Sequence, residues 1–263
     1  MTVHAIHPAS RTDDFRLRAL FLPNIAYDRN AQPPLRAELF LLAHDETTGR
    51  LLIDKKRLEI GLAAAILLEL WLLEYIVIGY RYDARNGPWQ PEPGRITILK
   101  DTETGDPLID SAIRLLQRMG APRIEDFIRA YTEPGGLYER VRGDMTATGL
   151  LEVSVKRHIF RGNREVYKPV HSEYPVRART RVTNLITRPA RITRHETPNH
   201  RVPALAGLVA TLGLTRYFHS FEISPRDLRQ RLNGLVYDLP DPAIREVSTA
   251  ITRRRRVLAA ISR

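Results

Sequence analysis

The chain has 263 residues, 41 Lys plus Arg against 30 Asp plus Glu, and a formal net charge of +11. That length holds one large domain or two small ones with ample material for a core. The charge points to an anionic partner, whether nucleic acid, anionic lipid or an acidic protein. There is no cysteine, which excludes disulfides, thiolate metal sites and thiol nucleophiles. Only five of the basic residues are Lys (Lys55, Lys56, Lys100, Lys156, Lys168), an Arg bias that suggests a GC-rich bacterial genome.

Residues 1–34 mix charge, proline and histidine without periodicity and are read as a flexible N-terminal arm. The rest, 35–263, is read as one helical domain. The first residues lack the continuous apolar run of a secretory signal, so a cytoplasmic protein is expected. Leu35 to His44 reads as a short apolar helix and Asp45 to Arg50 as a turn. Ile60 to Trp71 (IGLAAAILLELW) then leaves no wide polar face, which is the pattern of a helix buried on nearly every side. Glu69 and Glu74 argue against a membrane span, which needs about 20 mostly apolar residues.

Tyr75 to Tyr80 and Arg95 to Leu99 are β-branched runs across a Pro- and Gly-rich connection, and predict a small hairpin. Asp106-Pro107, Ser224-Pro225 and Asp241-Pro242 each read as an N-cap followed by proline in the first turn. Helices are further predicted over Ile124 to Tyr131, Leu137 to Thr148 and Val202 to Phe218; residues 172–201 receive no element. The expected fold is mostly α, a single helical domain around a buried central helix with one or two small β-hairpins.

A second hairpin is predicted from Val153 to Phe160 and Arg164 to Val170. With Gly162-Asn163 as a two-residue loop, Arg161 pairs with Arg164, Ile159 with Val166 and Arg157 with Lys168, all on one face. Like charges placed directly opposite destabilise a hairpin, and an anionic surface would compensate. The alternative is a solvated hairpin in a different register. At the C-terminus Arg254 and Arg255 flank the stripe of Val247, Ile251 and Leu258, whereas Arg253 and Arg256 face away. Snorkelling cations on a packed helix explain this quartet; clustered Arg on nucleic-acid phosphates is the sharper alternative.

No Walker loop, Rossmann fingerprint or paired-His zinc helix is present. Asp101, Glu103 and Asp106 suggest a calcium loop, but its twelfth position is Ala112, and a turn with a helix cap accounts for the segment better. No nucleophile or general base stands out among the eight histidines, so neither an enzyme nor a metal or cofactor is expected.

LRAELFLLAHDETTGRLLI followed by GLAAAILLEL, then TGDPLID, LYERVRGDMTATGLLEV and VPALAGLVATLGL, resemble in order segments of the Golgi phosphoprotein 3 family. That resemblance implies a helical fold with a basic membrane-facing surface and a hairpin that dips into the bilayer. It also implies binding of phosphatidylinositol 4-phosphate, self-association, and adaptor contacts with cytoplasmic segments of membrane proteins. The family's headgroup ligands fall on Asp54, Ala63, Gly135 and Tyr138, so none is retained. Lys55, Lys56, Arg57, Arg140 and Arg142 stand beside those positions and are the candidates for a rebuilt site; the plainer reading is solvated surface charge. Arg157, Ile159, Phe160, Arg161, Arg164, Val166 and Lys168 are the candidate membrane-facing residues of the hairpin. The expected protein is peripheral on the inner face of a membrane and binds anionic lipid, with a basic nucleic-acid- or protein-binding module as the runner-up.

Overall fold

The stretch with no polar face becomes the axis of the molecule. The computed structural model describes residues 32–83, 87–158, 162–187, 200–218, 222–238 and 241–261, in a mostly α-helical arrangement with two small antiparallel hairpins. In chain order the elements are α1 (Leu35–Leu42), α2 (Lys55–Leu72), β1 (Ile76–Asp83), β2 (Gly87–Ile98), α3 (Pro107–Met119), α4 (Ile124–Thr132) and α5 (Leu137–Ala147). They continue with β3 (Leu151–His158), β4 (Gly162–Pro169), α6 (Glu173–Thr187), α7 (Arg201–Leu212), a 3-10 turn (Leu214–Tyr217), α8 (Pro225–Asp238) and α9 (Pro242–Ile261).

α2 is about 27 Å long. It is buried without a break from Leu58 to Leu70 and packs against α1, α3, α4, α5, α7, α9 and the root of β1. Each of its fully buried leucines and isoleucines contributes roughly 1.5–3 kcal/mol of transfer free energy, enough to gather the other helices around it. Its partner α7 approaches closely at Gly61, where a Cβ would stand 2.4 Å from Leu212 Cδ1. The helix starts five residues before the apolar run. Asp54 accepts the Arg57 N–H at 3.1 Å, and Lys55 to Arg57 form a charged first turn.

The three cap-plus-proline starts all form as the sequence predicts. Asp106 Oδ1 accepts from Leu108 N and Ile109 N, Ser224 Oγ from Asp227 N, and Asp241 Oδ1 from Ala243 N. Around Asp101 to Asp110 the carboxylate of Asp110 closes a turn, accepting from Thr104 and Gly105.

Glu69, the one charge inside the apolar run, is answered by Arg36 of α1. The Arg36 guanidinium is buried and holds Glu69 Oε2 at 2.7 Å, Asp144 Oδ2 at 3.1 Å, and Asp106; its backbone N–H also donates to Glu69 Oε1. Burial opposes the guanidinium's charge, but Glu69, Asp106 and Asp144 together outweigh it and hold Arg36 protonated. Two residues along, buried Glu38 is gripped by Arg181 of α6 and Arg201 of α7. α1 is thus fixed by ion pairs from two sides.

The first hairpin is longer than its β-branched runs, because the Pro- and Gly-rich connection itself forms strand. Gly79 (φ +85°) makes a bulge, and the carboxylate of Glu246 on α9 fills the space where a side chain would be while accepting the Gly94 N–H at 2.6 Å. Beyond the bulge Tyr80, Tyr82 and Trp89 are exposed, with Tyr82 and Trp89 paired across the strands at 5.4 Å.

The second hairpin has a different register from the expected one. Lys156 pairs with Arg164, Arg157 with Asn163, Ser154 with Val166 and Glu152 with Lys168, and His158 meets Gly162. Gly162 and Asn163 therefore belong to β4 and pair with His158 and Arg157 instead of forming the turn, and the shift is odd, so position 157 no longer shares the register parity of 164 and 168. Lys168 faces a carboxylate across the ladder, which removes one of the two like-charge pairs. Val166 is buried over Gly49 of the α1–α2 loop and is not free to insert. Ile159, Phe160 and Arg161 lie outside the described residues.

α6 occupies the stretch to which the sequence assigns no element. Its buried stripe Tyr174, Ala178, Val182 and Ile186 recurs every four residues beneath an Arg- and Thr-rich exterior. α7 stops at Gly213, which takes the left-handed conformation, rather than running to Phe218.

Candidate cationic surface at the start of α2

An α-helix carries roughly half a positive charge at its N-terminus, so acidic residues are favoured in the first turn. α2 does the reverse: Lys55, Lys56 and Arg57 open it and no acid stands among them. The α5 side of this opening carries aromatic rings. Lys55 Nζ lies 5.5 Å from the Tyr138 ring centroid and reaches Glu139 Oε1 at 2.5 Å. That contact holds the ammonium above its ordinary range and the carboxylate below its own. Both groups are close to half exposed, so the pair adds little stability.

Tyr138 is itself held on several sides. Its backbone N–H donates to Glu59 Oε1, and its ring stacks on Phe40 at 5.1 Å. His44 Nδ1 lies 2.7 Å from Phe40 O and must be the protonated nitrogen, which leaves Nε2 to accept from the Tyr138 hydroxyl at 3.0 Å. Burial is the first cause that pushes the His44 pKa down. Arg142 lies over the Tyr138 ring and, at 4.2 Å, over that of Tyr167 from β4. Burial raises the Tyr138 pKa, with Arg142 acting against it.

The candidate residues therefore do not form one cluster. Lys55 and Arg142 converge on Tyr138, and Lys56 is exposed beside them. Arg140, between Tyr138 and Arg142 in the chain, points elsewhere, over the ring of Tyr131 and donating to its carbonyl. Arg57 belongs to the opposite flank of α2, near Arg255 of α9. Of the positions taken from the family's ligand set, Asp54 is the cap of α2, Ala63 is wholly buried, Gly135 sits in a left-handed turn and Tyr138 is the stacked ring just described.

Sequence reasoning missed the part played by His44, Phe40 and Tyr167 in fixing this surface. The only local signal was the pairing of Phe40 with His44 at helical spacing. Arg253, of the C-terminal quartet, reaches Glu125 at 3.1 Å, while Arg254 and Arg255 are half-buried and Arg256 is exposed, as the helical projection predicts.

A mostly α fold wound around one apolar helix, with a cationic and aromatic face at that helix's positive end, is the class of protein defined here. Over residues 35–251 the chain matches the family model of Golgi phosphoprotein 3 (GPP34), and it belongs to that family. No curated protein matches it. Among the described residues no helix is long and apolar enough to cross a membrane.

Proposed function

We propose that this protein docks on the inner face of a membrane through the opening of α2, binding anionic phospholipid without catalysing a reaction on it, and serves there as an adaptor for cytoplasmic segments of membrane proteins. The observation that carries the reading is the run Lys55-Lys56-Arg57 at a helix's positive end with no acid in the turn, in a family whose members bind a phosphoinositide. Lys55 and Lys56 present ammonium groups on an exposed surface, and Arg142, seated on two tyrosine rings, adds a guanidinium beside them.

Charge rather than headgroup shape governs the docking. The paired arginines that would fork onto a 4-phosphate are replaced at Ala63, Gly135 and Tyr138, and none of these side chains can supply bidentate donors. Three cations near an anionic membrane contribute on the order of 3 kcal/mol, which is weaker than millimolar binding. A second point of attachment, on the same chain or on another copy, is needed for stable residence.

Vesicle co-sedimentation at physiological salt tests this. Neutral vesicles are compared with ones carrying phosphatidylinositol, its 4-phosphate or phosphatidylserine at matched charge density. Similar binding to all anionic vesicles, lost in the Lys55→Glu, Lys56→Glu double variant, is expected. Absence of binding to every anionic vesicle would overturn the membrane reading. It would favour the nucleic-acid alternative, in which loss of Arg253 to Arg256 abolishes binding.

A further inference from the structure

Among the described residues every exposed aromatic side chain stands on the outer half of the first hairpin: Tyr80, Tyr82 and Trp89, 41%, 56% and 43% exposed. Tyr80 pairs with Pro91 and Tyr82 with Trp89, so the three rings and the exposed proline share one face. Together they present on the order of 300 Å² of ring surface. A stable interface between separate chains takes about 800 Å² from each partner, so this face alone does not hold a second copy. Nor does it continue the cationic surface: the root of the hairpin follows the C-terminal end of α2, about 27 Å from the opening at Lys55. Lipid docked at that opening meets the other end of the helix.

The end of the molecule that carries the hairpin root also receives the N-terminal arm. Arg201, at the start of α7, donates to Pro33 O, and Gln32 Nε2 stands 3.4 Å from the Glu38 carboxylate. His200, next to Arg201, meets Trp71 edge-on at 5.4 Å and lies 3.5 Å from Asp241, the cap of α9. Glu246 follows Asp241 by about 8 Å along α9. Its carboxylate holds the hairpin at Gly79 and Gly94, immediately before Tyr80. The point where the arm joins the fold, the end of α2 and the hold on the hairpin are thus gathered around His200.

Residues 1–31 precede this point, and their most apolar run is Ala19 to Tyr27 (ALFLPNIAY). Extended, the stretch from Ile25 to Pro33 spans up to about 28 Å, enough to carry that run past Gly79 and onto the aromatic face. Tethered to the same chain, the arm meets this face at an effective concentration on the order of millimolar, so a weak contact of small area is sufficient.

We propose that the aromatic face of the first hairpin is a docking site for the chain's own N-terminal arm, with Leu20 to Ile25 laid across Tyr80, Tyr82 and Trp89. The site goes beyond the lipid-docking reading and does not depend on it.

The full chain carrying Trp71→Phe tests the site, because Trp89 is then its one tryptophan and no native cysteine competes for a label. A nitroxide attached at Asn24→Cys should remove most of the Trp89 emission, relative to the same protein with the nitroxide chemically reduced. Adding Phe21→Ser, Leu22→Ser and Ile25→Ser should restore that emission and open Trp89 to acrylamide, while the cooperative urea transition of the helices is retained. Tyr82→Ser, which alters the face rather than the arm, should weaken the quenching in the same way. Emission that ignores the label would overturn the proposal. So would quenching that is equal with and without the serines, since the tether alone then brings the label near. Quenching that weakens on dilution would overturn it in favour of an arm from a second copy. No membrane enters these measurements, so their outcome is separate from that of the vesicle experiment.

Discussion

Replacing Arg36 by Met is the sharpest test of how this fold is held. The change keeps a long apolar stem but deletes the guanidinium that Glu69, Asp106 and Asp144 share. Asp106 retains its two cap bonds at the start of α3, and Asp144 is 20% exposed. Glu69, 3% exposed in the last turn of α2, keeps the hydrogen bond from the Arg36 backbone N–H and the more distant charge of Arg201. Breaking a buried pair in this way costs about 3–5 kcal/mol, roughly a fifth or more of the ordinary total for a domain. The thermal midpoint should fall by roughly 6–20 °C, and the urea midpoint should fall with an unchanged slope.

The loss should also shrink as pH is lowered from 7 towards 5. Burial already pushes Glu69 and Asp144 above their ordinary values of 4.5 and 3.8, and without Arg36 they rise further. An acid whose native pKa is raised contributes stability that is present below its unfolded pKa and lost as pH rises through the native one. Adding Glu69→Leu to Arg36→Met should recover part of the loss, since an apolar pair of similar volume is tolerated where an orphaned charge is not. A loss under about 1 kcal/mol, or one independent of pH, would refute the view that Arg36 neutralises a buried cluster.

Three further outcomes are expected. The native pKa of His44 is depressed below the unfolded value of 6.5, so its contribution to stability is complete above that pH and is lost as pH falls below it; urea midpoints across pH 5–7 should show this slope, and His44→Gln should flatten it. Gly79→Ala should cost about 1–3 kcal/mol by urea denaturation, because the residue needs positive φ and its Cβ would stand 2.8 Å from Glu246 Oε1. Glu139→Gln should strengthen co-sedimentation with anionic vesicles by releasing Lys55 from its 2.5 Å contact; unchanged or weaker binding would remove Lys55 from the docking surface.

The elements that the sequence announced most clearly are those whose signal is local. The apolar run of α2 and the Asp-Pro and Ser-Pro starts each lie within a few residues, and each forms as read. α6 escaped because only five of its 15 residues are buried, while arginine and threonine dominate its surface. The hairpin register was not legible because Gly162-Asn163 is an acceptable turn on its own. The choice fell to packing of Val166 over Gly49, far away in sequence. The cationic surface was half legible: Lys55 to Arg57 are adjacent in the chain, but at about 100° per residue the helix turns Lys55 toward a tyrosine on α5 and Arg57 to the other flank. Arg36 gave no signal at all, since an arginine inside LRAELFLL looks like the polar face of a surface helix until its three partners are folded around it.

The two tryptophans of the chain stand in contrasting surroundings. Trp71, at the end of α2, is partly covered and meets His200 edge-on at 5.4 Å, whereas Trp89 is 43% exposed on the first hairpin against Tyr82. The protein thus carries two native optical probes with different histories: one emits from the end of the core, the other from the hairpin. Trp89→Phe leaves a fluorophore that reports the core's unfolding alone. Trp71→Phe leaves one that reports whatever settles on the hairpin, with no dye attached and no cysteine to remove.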